Sequence, residues 1–507
     1  MKINNLLLST LVLSCSIAQG EDITPQATPA PTPTQAEALK SIADTTTAAK
    51  ENSSKITENT SNIRSLWTAT VDVASTTAKL TVTRTDNNST SSFRIRGICY
   101  SPAPMNASNG FGPGLGDWYW NTLRDPQNPT TVWAYTWESI WARDLDNLRA
   151  LGINCIRVYS MLYKQIGDHG EIPTKEQYDI AQAFTHKKFL DLCWNNGKNP
   201  IYVIVGIPMN PLLYRKDADT TAIQYYWEHV LVDTAKDLEK HPAVLGFTVG
   251  NEVDAPGYTW DPNNPDSPNV QYWWHQLEVY AQMAKTAAPN KLVGIANHDF
   301  GDVLVKYAAS YMAQCTSLDF WGVNSYQTEN FHSVFGTNGL MGYNQLTGVA
   351  LKPVILTEWG LPATGHHDPN NRFSIYSDTT TETKTATVVA KVLPKAYQAP
   401  LCAGVTYFEY CDEWWKQDQP NGVPAILYKW YGGTLNTGFP NDYWDDEGFG
   451  VYSIERAGYD GTNPDVRKIT PYFQWNVPPY NGPYQPDVLT ERTPLFDAIQ
   501  TTFSTVK

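Results

Sequence analysis

The run AVLGFTVGNEV, from Ala243 to Val253, decides the predicted fold. Its apolar and β-branched residues fill a strand-length segment, which is typical of a strand buried on both faces. The segment ends on Glu252, and a loop follows. The run KPVILTEWG, from Lys352 to Gly360, repeats the pattern with Glu358. A carboxylate at such a strand end suits a cleft better than a core, so both glutamates are candidate site residues.

Eight strand candidates alternate with helical patterns such as SIWARDLDNLRALG (139–152). The strand candidates are RIRGICY (94–100), NCIRVYS (154–160), PIYVIVGIP (200–208), VLGFTVGNE (244–252), KLVGIAN (291–297), LDFWGVNSY (318–326), PVILTEWG (353–360) and AGVTYFEY (403–410). Eight buried strands interleaved with helices predict an α/β fold in which a parallel sheet closes into a (β/α)₈ TIM barrel. The alternative is a doubly wound open sheet, which would need a Gly-rich phosphate loop after its first strand. The segment RGICYSPAPMN contains no such loop.

The chain on either side of the barrel candidate has a different character. Residues 1–20 predict a secretory signal peptide, with Lys2, an apolar stretch from Leu6 to Leu13 and small residues ending at Gly20. Cys15 leaves a lipid anchor as the alternative. We expect 21–67 to form a partly disordered linker or spacer, because EDITPQATPAPTPTQ (21–35) is rich in Pro and Thr. The candidate barrel domain is then 68–507, which opens with a β-hairpin and includes a long irregular excursion over 411–492.

Composition limits the classes of ligand. The 37 basic and 51 acidic residues give the 507-residue chain a net charge of −14, which repels nucleic acid. Eighteen Trp and 29 Tyr fit either a large core or a cleft in which rings stack on sugars. The acidic chain therefore suits a neutral substrate, and a polysaccharide or oligosaccharide fits the second interpretation of the aromatic residues. We expect no cofactor, no metal site and no membrane-spanning segment. The cysteines after Gly20 form no CxxC pair. Cys99, Cys155 and Cys402 fall in predicted buried strands, which predicts thiols in the core, and disulfide bonds are the alternative.

The two glutamates provide the groups that glycosidic-bond chemistry needs. Counting strands, Glu252 ends the fourth and Glu358 the seventh, on opposing walls of one barrel. One carboxyl group would protonate the leaving oxygen while the other attacks the anomeric carbon. The alternative for each glutamate is a structural role, either capping the next helix or pairing with a buried arginine.

The order of Asn251-Glu252 on strand four and Glu358 on strand seven resembles clan A of the glycoside hydrolases. ARDLDNLRALGINCIRVYSM (142–161) and HPAVLGFTVGNEV (241–253) are similar to glycoside hydrolase family 72, the β-1,3-glucanosyltransferases. VGNEV and TEWGLPATG also resemble the family 17 β-1,3-glucanases. The resemblance implies a retaining mechanism in which Glu252 is the acid/base, Glu358 is the nucleophile and Asn251 contacts a sugar hydroxyl.

Further candidates for substrate binding lie at the same strand ends. Arg157 would orient Glu358, and Tyr159 follows on the same strand. The resemblance implies that Tyr326 donates a hydrogen bond to the nucleophile and that a Trp after strand eight forms the floor under a sugar. Trp414 is preferred for this floor, and Trp415 is the alternative. The remaining candidates are Asn324 and His298. A buried ion pair, an aromatic packing contact or a core hydrogen bond is the alternative for Arg157, for Tyr326 and for Asn324.

Other residues could compete for or extend the site. The acidic competitors are Asp254, Asp299, Glu409, Asp412 and Glu413, and the aromatic residues that could build acceptor subsites are Trp118, Tyr119, Trp120 and Trp133. The favoured function is an exported or cell-surface retaining β-glycosidase or transglycosylase that acts on a neutral β-glucan, with β-1,3 linkages preferred. A β-1,4-glucan or mannan endo-hydrolase of the same clan and a non-catalytic carbohydrate-binding barrel are the alternatives.

Overall fold

The computed structural model describes most of the chain after residue 62. The described residues are 63–72, 74–103, 116–120, 124–125, 128–132, 134–164, 172–181, 183–261, 263–299, 302–336, 349–368, 370, 374–416, 433–455 and 488–506. The predicted signal peptide, the linker up to residue 62 and Trp133 lie outside these ranges.

Eight parallel strands form one closed barrel. The strands are β1 (Ile95–Cys99), β2 (Cys155–Val158), β3 (Tyr202–Ile207), β4 (Val244–Asn251), β5 (Leu292–His298), β6 (Phe320–Asn324), β7 (Val354–Trp359) and β8 (Cys402–Tyr407). Strand β8 pairs with β1, with Gly404 opposite Ile95, and this contact closes the ring. The predicted barrel is confirmed, and each predicted strand contains one of the observed strands or overlaps it. Their apolar residues are buried on both faces because side chains fill the barrel and helices cover its outside.

Helices follow the strands in the order expected for a (β/α)₈ barrel. The helices are α1 (Ala134–Ala150), α2 (Lys175–Ile180), α3 (Lys187–Trp194), α4 (Thr221–Leu238), α5 (Pro268–Ala287), α6 (Asp302–Gln314), α7 (His332–Phe335), α8 (Thr379–Gln398) and α9 (Thr493–Thr505). Helix α9 packs beside α8 and supplies the last helix of the ring. No helix in the described part of the chain has both the length and the apolar composition needed to span a bilayer.

A three-stranded antiparallel sheet precedes the barrel. Its strands are Ser65–Asp72, Thr77–Arg84 and Ser89–Phe93, and the last two form the predicted hairpin. The first strand crosses the boundary that the sequence placed at residue 67. Trp67 is buried, with its ring edge-on to Phe93 and Tyr202 at centroid distances of 5.0 and 4.8 Å. The sheet is thereby joined to the body of the barrel.

A buried ion pair joins the two ends of the C-terminal excursion. Arg492 donates to both carboxylate oxygens of Asp412, at 2.6 and 2.9 Å, and both side chains are 1 % exposed. The short strands Tyr452–Glu455 and Val488–Glu491 pair beside it. Asp412 therefore has a structural partner, which argues against its role as a competing site carboxylate.

All six cysteines after the predicted signal peptide are buried and unpaired. This confirms core thiols at the three strand positions, and none of the six forms a disulfide. Burial raises the pKa of Cys99 to about 12, so its thiol stays protonated near neutral pH.

Lys291, just before β5, joins the N-terminal sheet to the barrel. Its fully buried Nζ donates to the carbonyl oxygens of Ser65, His241 and Val244 at 2.9–3.0 Å. We expect Lys291→Met to lower the free energy of unfolding by about 2–4 kcal/mol, because three buried acceptors lose their donor. Urea unfolding measures this change, with the exposed Lys79→Met as a control that should stay within about 0.5 kcal/mol of wild type.

The same lysine predicts a pH dependence of stability. Burial lowers the pKa of Lys291 from 10.5 to about 7. Between pH 7 and 10.5 the unfolded chain binds more protons at Lys291 than the folded chain does. The contribution of Lys291 to the free energy of unfolding is therefore fully present above about pH 10.5 and is lost as pH falls through about 7. The destabilisation by Lys291→Met should therefore grow as pH rises through this window. A pH-independent difference between the two proteins would contradict the expectation.

Candidate active site

The two glutamates lie at the same end of the barrel. Glu252 directly follows β4, and Glu358 is the penultimate residue of β7. Since all eight strands are parallel, their carboxyl ends meet at one mouth, where TIM-barrel sites are found. Both carboxylates therefore lie at this mouth, where the sequence placed them.

Glu358 is held by three donors and is 5 % exposed. Its Oε1 accepts hydrogen bonds from Arg157 Nη1 at 2.7 Å and from Tyr159 OH at 2.8 Å. Its Oε2 accepts from Tyr326 OH at 2.6 Å. Burial raises the pKa of both tyrosines well above the usual value, so both remain protonated donors. Three donors match a carboxylate, which only accepts, and they fix its orientation.

Glu252 has different surroundings. Its side chain is 32 % exposed, its Oε1 accepts from Asn324 Nδ2 at 2.9 Å, and its Oε2 lies 3.2 Å from His298 Nε2. Its backbone has φ of +50°, a left-handed conformation that a non-glycine residue rarely adopts. The amide of Glu252 donates to the carbonyl of Ala296 in β5, which holds this turn. Such strain at a residue in a cleft is typical of functional sites.

A continuous hydrogen-bond network joins the two glutamates. Arg157 donates to Glu358 through Nη1 and to Asn251 Oδ1 through Nη2 at 2.6 Å. The amide of Asn324 lies 3.2 Å from the same Asn251 oxygen and also donates to Glu252. Hydrogen bonds therefore connect seven of the predicted site residues, which include the two glutamates. His298 is the eighth and contacts Glu252. These eight residues, called the mouth network below, are Arg157, Tyr159, Asn251, Glu252, His298, Asn324, Tyr326 and Glu358.

The neighbours of Glu252 change the pKa of its carboxyl group. Burial is the largest single influence on the pKa of Glu252 and would raise it. The hydrogen bond and positive charge of His298 and the hydrogen bond from Asn324 outweigh burial, so the net pKa is lowered. The pKa of His298 is raised to about 10 by its contacts with Asp254 and then with Glu252. The resting site therefore contains an ionised Glu252 beside a charged imidazole ring.

Trp414 is buried in a packing contact, whereas the sequence predicted that it forms the floor under a sugar. It is 6 % exposed, it packs against Ile454 and Leu489, and its indole N–H donates to the carbonyl of Ala103 at 3.1 Å. Three of the aromatic residues after β1 that the sequence predicted for acceptor subsites are also buried. Trp118, Tyr119 and Trp120 are at most 1 % exposed, so these rings belong to the core.

The acidic competitors have other partners. The Asp299 carboxylate accepts hydrogen bonds from Ser325 and Gln327 and from Ser333. Glu413 lies 2.7 Å from Lys416 Nζ. Glu409 is 1 % exposed, and burial followed by the nearby Glu413 raises its pKa well above the usual value, so it is a neutral acid near neutral pH. Asp299 and Glu413 are therefore held by partners outside the mouth network, and Glu409 is buried.

Two residues that the sequence did not single out belong to the site. Thr357 donates to Asn324 Oδ1 at 2.7 Å, and its carbonyl accepts from Arg157 at 2.9 Å. Trp444 is partly exposed and lies edge-on to Tyr326 with 4.7 Å between ring centroids. Trp444 is therefore a better candidate than Trp414 for a ring that stacks on a sugar near Glu358. The segment WDDEGFGVY (444–452) could have pointed to it, because its aromatic and acidic residues suit a cleft.

We expect Trp444→Ala to raise KM for an oligosaccharide by about 10-fold, since the loss of one stacked aromatic ring costs on the order of 1 kcal/mol. Trp414→Phe is the matched control and should lower thermal stability with KM unchanged. Initial rates over a range of substrate concentrations measure both. The assignment is wrong if Trp444→Ala leaves KM as it is while Trp414→Phe raises it.

Two carboxyl groups on strands four and seven of a closed parallel barrel define the architecture of a clan A glycoside hydrolase, a class of enzymes that act on glycosidic bonds. A family model described as "Glucanosyltransferase" matches residues 69–391. The chain therefore belongs to this family, which is family 72 of the glycoside hydrolases, and the predicted resemblance is confirmed.

A curated relative and several solved structures are similar to the chain. The "Probable 1,3-beta-glucanosyltransferase GAS3" of Saccharomyces cerevisiae is 25 % identical over 289 residues, which cover 53 % of this chain and 45 % of that protein. The chain thus matches less than half the length of the yeast protein. A β-D-glucuronidase of Dictyoglomus thermophilum aligns with 87 % of this chain and 54 % of its own, at 12 % identity and a TM-score of 0.43. An endocellulase of Pyrococcus horikoshii aligns with 75 % and 96 %, at 15 % identity and a TM-score of 0.39.

Proposed function

We propose that this protein is an exported β-1,3-glucanosyltransferase that works by double displacement. The mouth network carries the proposal, because it holds two carboxylates of different character at one barrel mouth. Membership of the glucanosyltransferase family and the name of the yeast relative support a β-1,3-glucan substrate and transfer to a sugar. Export to the medium or cell surface rests on the predicted signal peptide.

Glu358 is the nucleophile in this proposal. Its carboxylate attacks the anomeric carbon, the bond to the leaving oxygen breaks, and a covalent glycosyl-enzyme forms. Arg157, Tyr159 and Tyr326 hold both oxygens in place, so the attacking atom is positioned before substrate arrives. As an ester forms at Glu358, its negative charge is lost, and the tyrosines can then donate to the oxygen that remains.

Glu252 is the acid/base in this proposal. It gives a proton to the leaving oxygen in the first step and takes one from the acceptor hydroxyl in the second. Its side chain is more exposed than that of Glu358, which suits a group that must meet both leaving group and acceptor. Asn251 presents a side chain between the two carboxylates, where a sugar 2-hydroxyl would lie.

Product analysis after incubation with laminari-oligosaccharides of one length tests the proposal. We expect products both longer and shorter than the starting sugar, because each cleaved fragment is passed to a second molecule. Only shorter products would indicate a hydrolase, and binding without new products would indicate a carbohydrate-binding barrel. Parallel reactions with β-1,4-glucan and mannan oligosaccharides test the linkage, and Glu358→Gln is the inactive control.

A further inference from the structure

The imidazole ring of His298, at the end of β5, bridges two carboxylates. Its Nε2 lies 3.2 Å from Glu252 Oε2, and its Nδ1 lies 3.3 Å from Asp254 Oδ1. The backbone amide of His298 also donates to both oxygens of Asp254, at 3.2 and 3.1 Å. Asp254 is 6 % exposed, so a buried carboxylate fixes both the backbone and the ring of a histidine that faces Glu252.

This arrangement suits a charged histidine. A ring nitrogen that faces a carboxylate donates a proton, and only the imidazolium form has a proton on both nitrogens. In the described part of the chain, the other charged groups at this mouth are Arg157, which acts on Glu252 from β2, and its partner Glu358. Asp299 follows His298 in the chain, and its carboxylate accepts from Ser325, Gln327 and Ser333. In the resting enzyme the proton between Glu252 and His298 therefore belongs to the ring.

An ionised Glu252 cannot act as the acid in the first step of the proposed reaction. It must first obtain a proton, and His298 Nε2 is the donor in contact with it. We propose that His298 stores the proton that Glu252 delivers to the leaving oxygen, as a positioning and proton-holding residue that acts through Glu252. This inference rests on the proposed function and specifies how its acid/base group is recharged.

The proton is conserved over the two steps. In the first step Glu358 bonds to the anomeric carbon, the bonding electron pair leaves with the departing oxygen, and that oxygen takes a proton from Glu252, which takes one from His298 Nε2. Glu252 is then a carboxylate beside a neutral imidazole. In the second step the acceptor hydroxyl bonds to the anomeric carbon, the bond to Glu358 breaks, and the acceptor proton passes through Glu252 back to Nε2.

The test compares wild type with His298→Gln over a range of pH on two substrates. One is a laminari-oligosaccharide, whose leaving oxygen needs a proton, and the other is a 2,4-dinitrophenyl β-laminaribioside, whose leaving group does not. In His298→Gln only Glu252 can hold this proton. Glu252 loses it at a pH typical of a carboxyl group. We expect the basic limb of kcat/KM for the oligosaccharide to move down by several pH units, from near 10 to a carboxyl-like pH, which is a loss of at least about 100-fold near pH 8. The profile for the dinitrophenyl substrate should not move.

Two further variants separate this role from simple packing. Asp254→Asn keeps a side chain of similar size beside the imidazole ring but removes the negative charge at position 254. The basic limb of kcat/KM should then also move to lower pH, by a smaller amount than in His298→Gln. His275→Gln, on the exposed side of α5, should leave both profiles unchanged. An unmoved basic limb in His298→Gln, or an equal loss on both substrates at every pH, overturns the proposal. Wild-type protein that turns over neither substrate would instead refute the proposed function itself.

Discussion

Replacing Glu358 with Gln is expected to lower kcat/KM on laminari-oligosaccharides by about 10⁴-fold or more, because the amide cannot form the covalent intermediate. Glutamine keeps the shape of the side chain and can still accept from Arg157 and Tyr159, so the fold should persist. Steady-state rates measure the loss, and circular dichroism with thermal melting checks the fold. Glu176→Gln, on the exposed face of α2, is the matched control and should retain full activity.

The stereochemistry of rescue assigns the two glutamates separately. In Glu358→Ala, azide can occupy the space left by the carboxylate and attack the anomeric carbon from that face, which gives an α-glycosyl azide from an activated β-glycoside. In Glu252→Ala the glycosyl-enzyme still forms, and azide attacks from the opposite face to give the β-glycosyl azide. Exchange of these two products between the variants would reverse the assigned roles. Near-normal turnover by Glu358→Gln would remove the nucleophile assignment altogether.

The barrel and the pair of glutamates were predictable because they depend on repeating patterns. Continuous apolar runs of strand length, separated by helical patterns, fix the strands, and parallel strands bring their carboxyl ends to one mouth. Glu252 and Glu358 could thus be placed together with no knowledge of any side-chain contact. The same reasoning placed Arg157 near the end of the second strand, while the contact of Tyr326 with the nucleophile was what the clan A resemblance implied, and both side chains contact Glu358.

Features that depend on loops and on strand register were not predictable. Trp118, Tyr119, Trp120 and Trp414 have the composition of a sugar cleft, but aromatic residues bury as readily as they line clefts, and sequence does not tell which face they take. The contact between His298 and Glu252 depends on a register shift between β4 and β5, where Ala296 pairs with Asn251. Such an irregularity leaves no periodic signal.

Replacing Arg157 with Met is the second change with a large expected effect. Arg157 is 1 % exposed and donates to Glu358, to Asn251 and to the carbonyl of Thr357. Its removal leaves a buried carboxylate without its cation, which typically costs about 3–5 kcal/mol of folding free energy. Activity should fall by about 10³-fold, since the nucleophile loses its orientation. Arg215→Met removes a partly exposed arginine paired with Asp217 and should cost under about 1 kcal/mol.

A double variant distinguishes loss of the ion pair from loss of packing. If the cost of Arg157→Met comes from the unpaired charge of Glu358, then Glu358→Gln in the same chain should recover about 2 kcal/mol, because a neutral amide tolerates burial beside methionine. Urea unfolding of the wild type, the two single variants and the double variant gives this coupling energy directly. Additive losses would mean that Arg157 supports the barrel mostly through Asn251 and Thr357, and Glu358 would then be held in place chiefly by its two tyrosines.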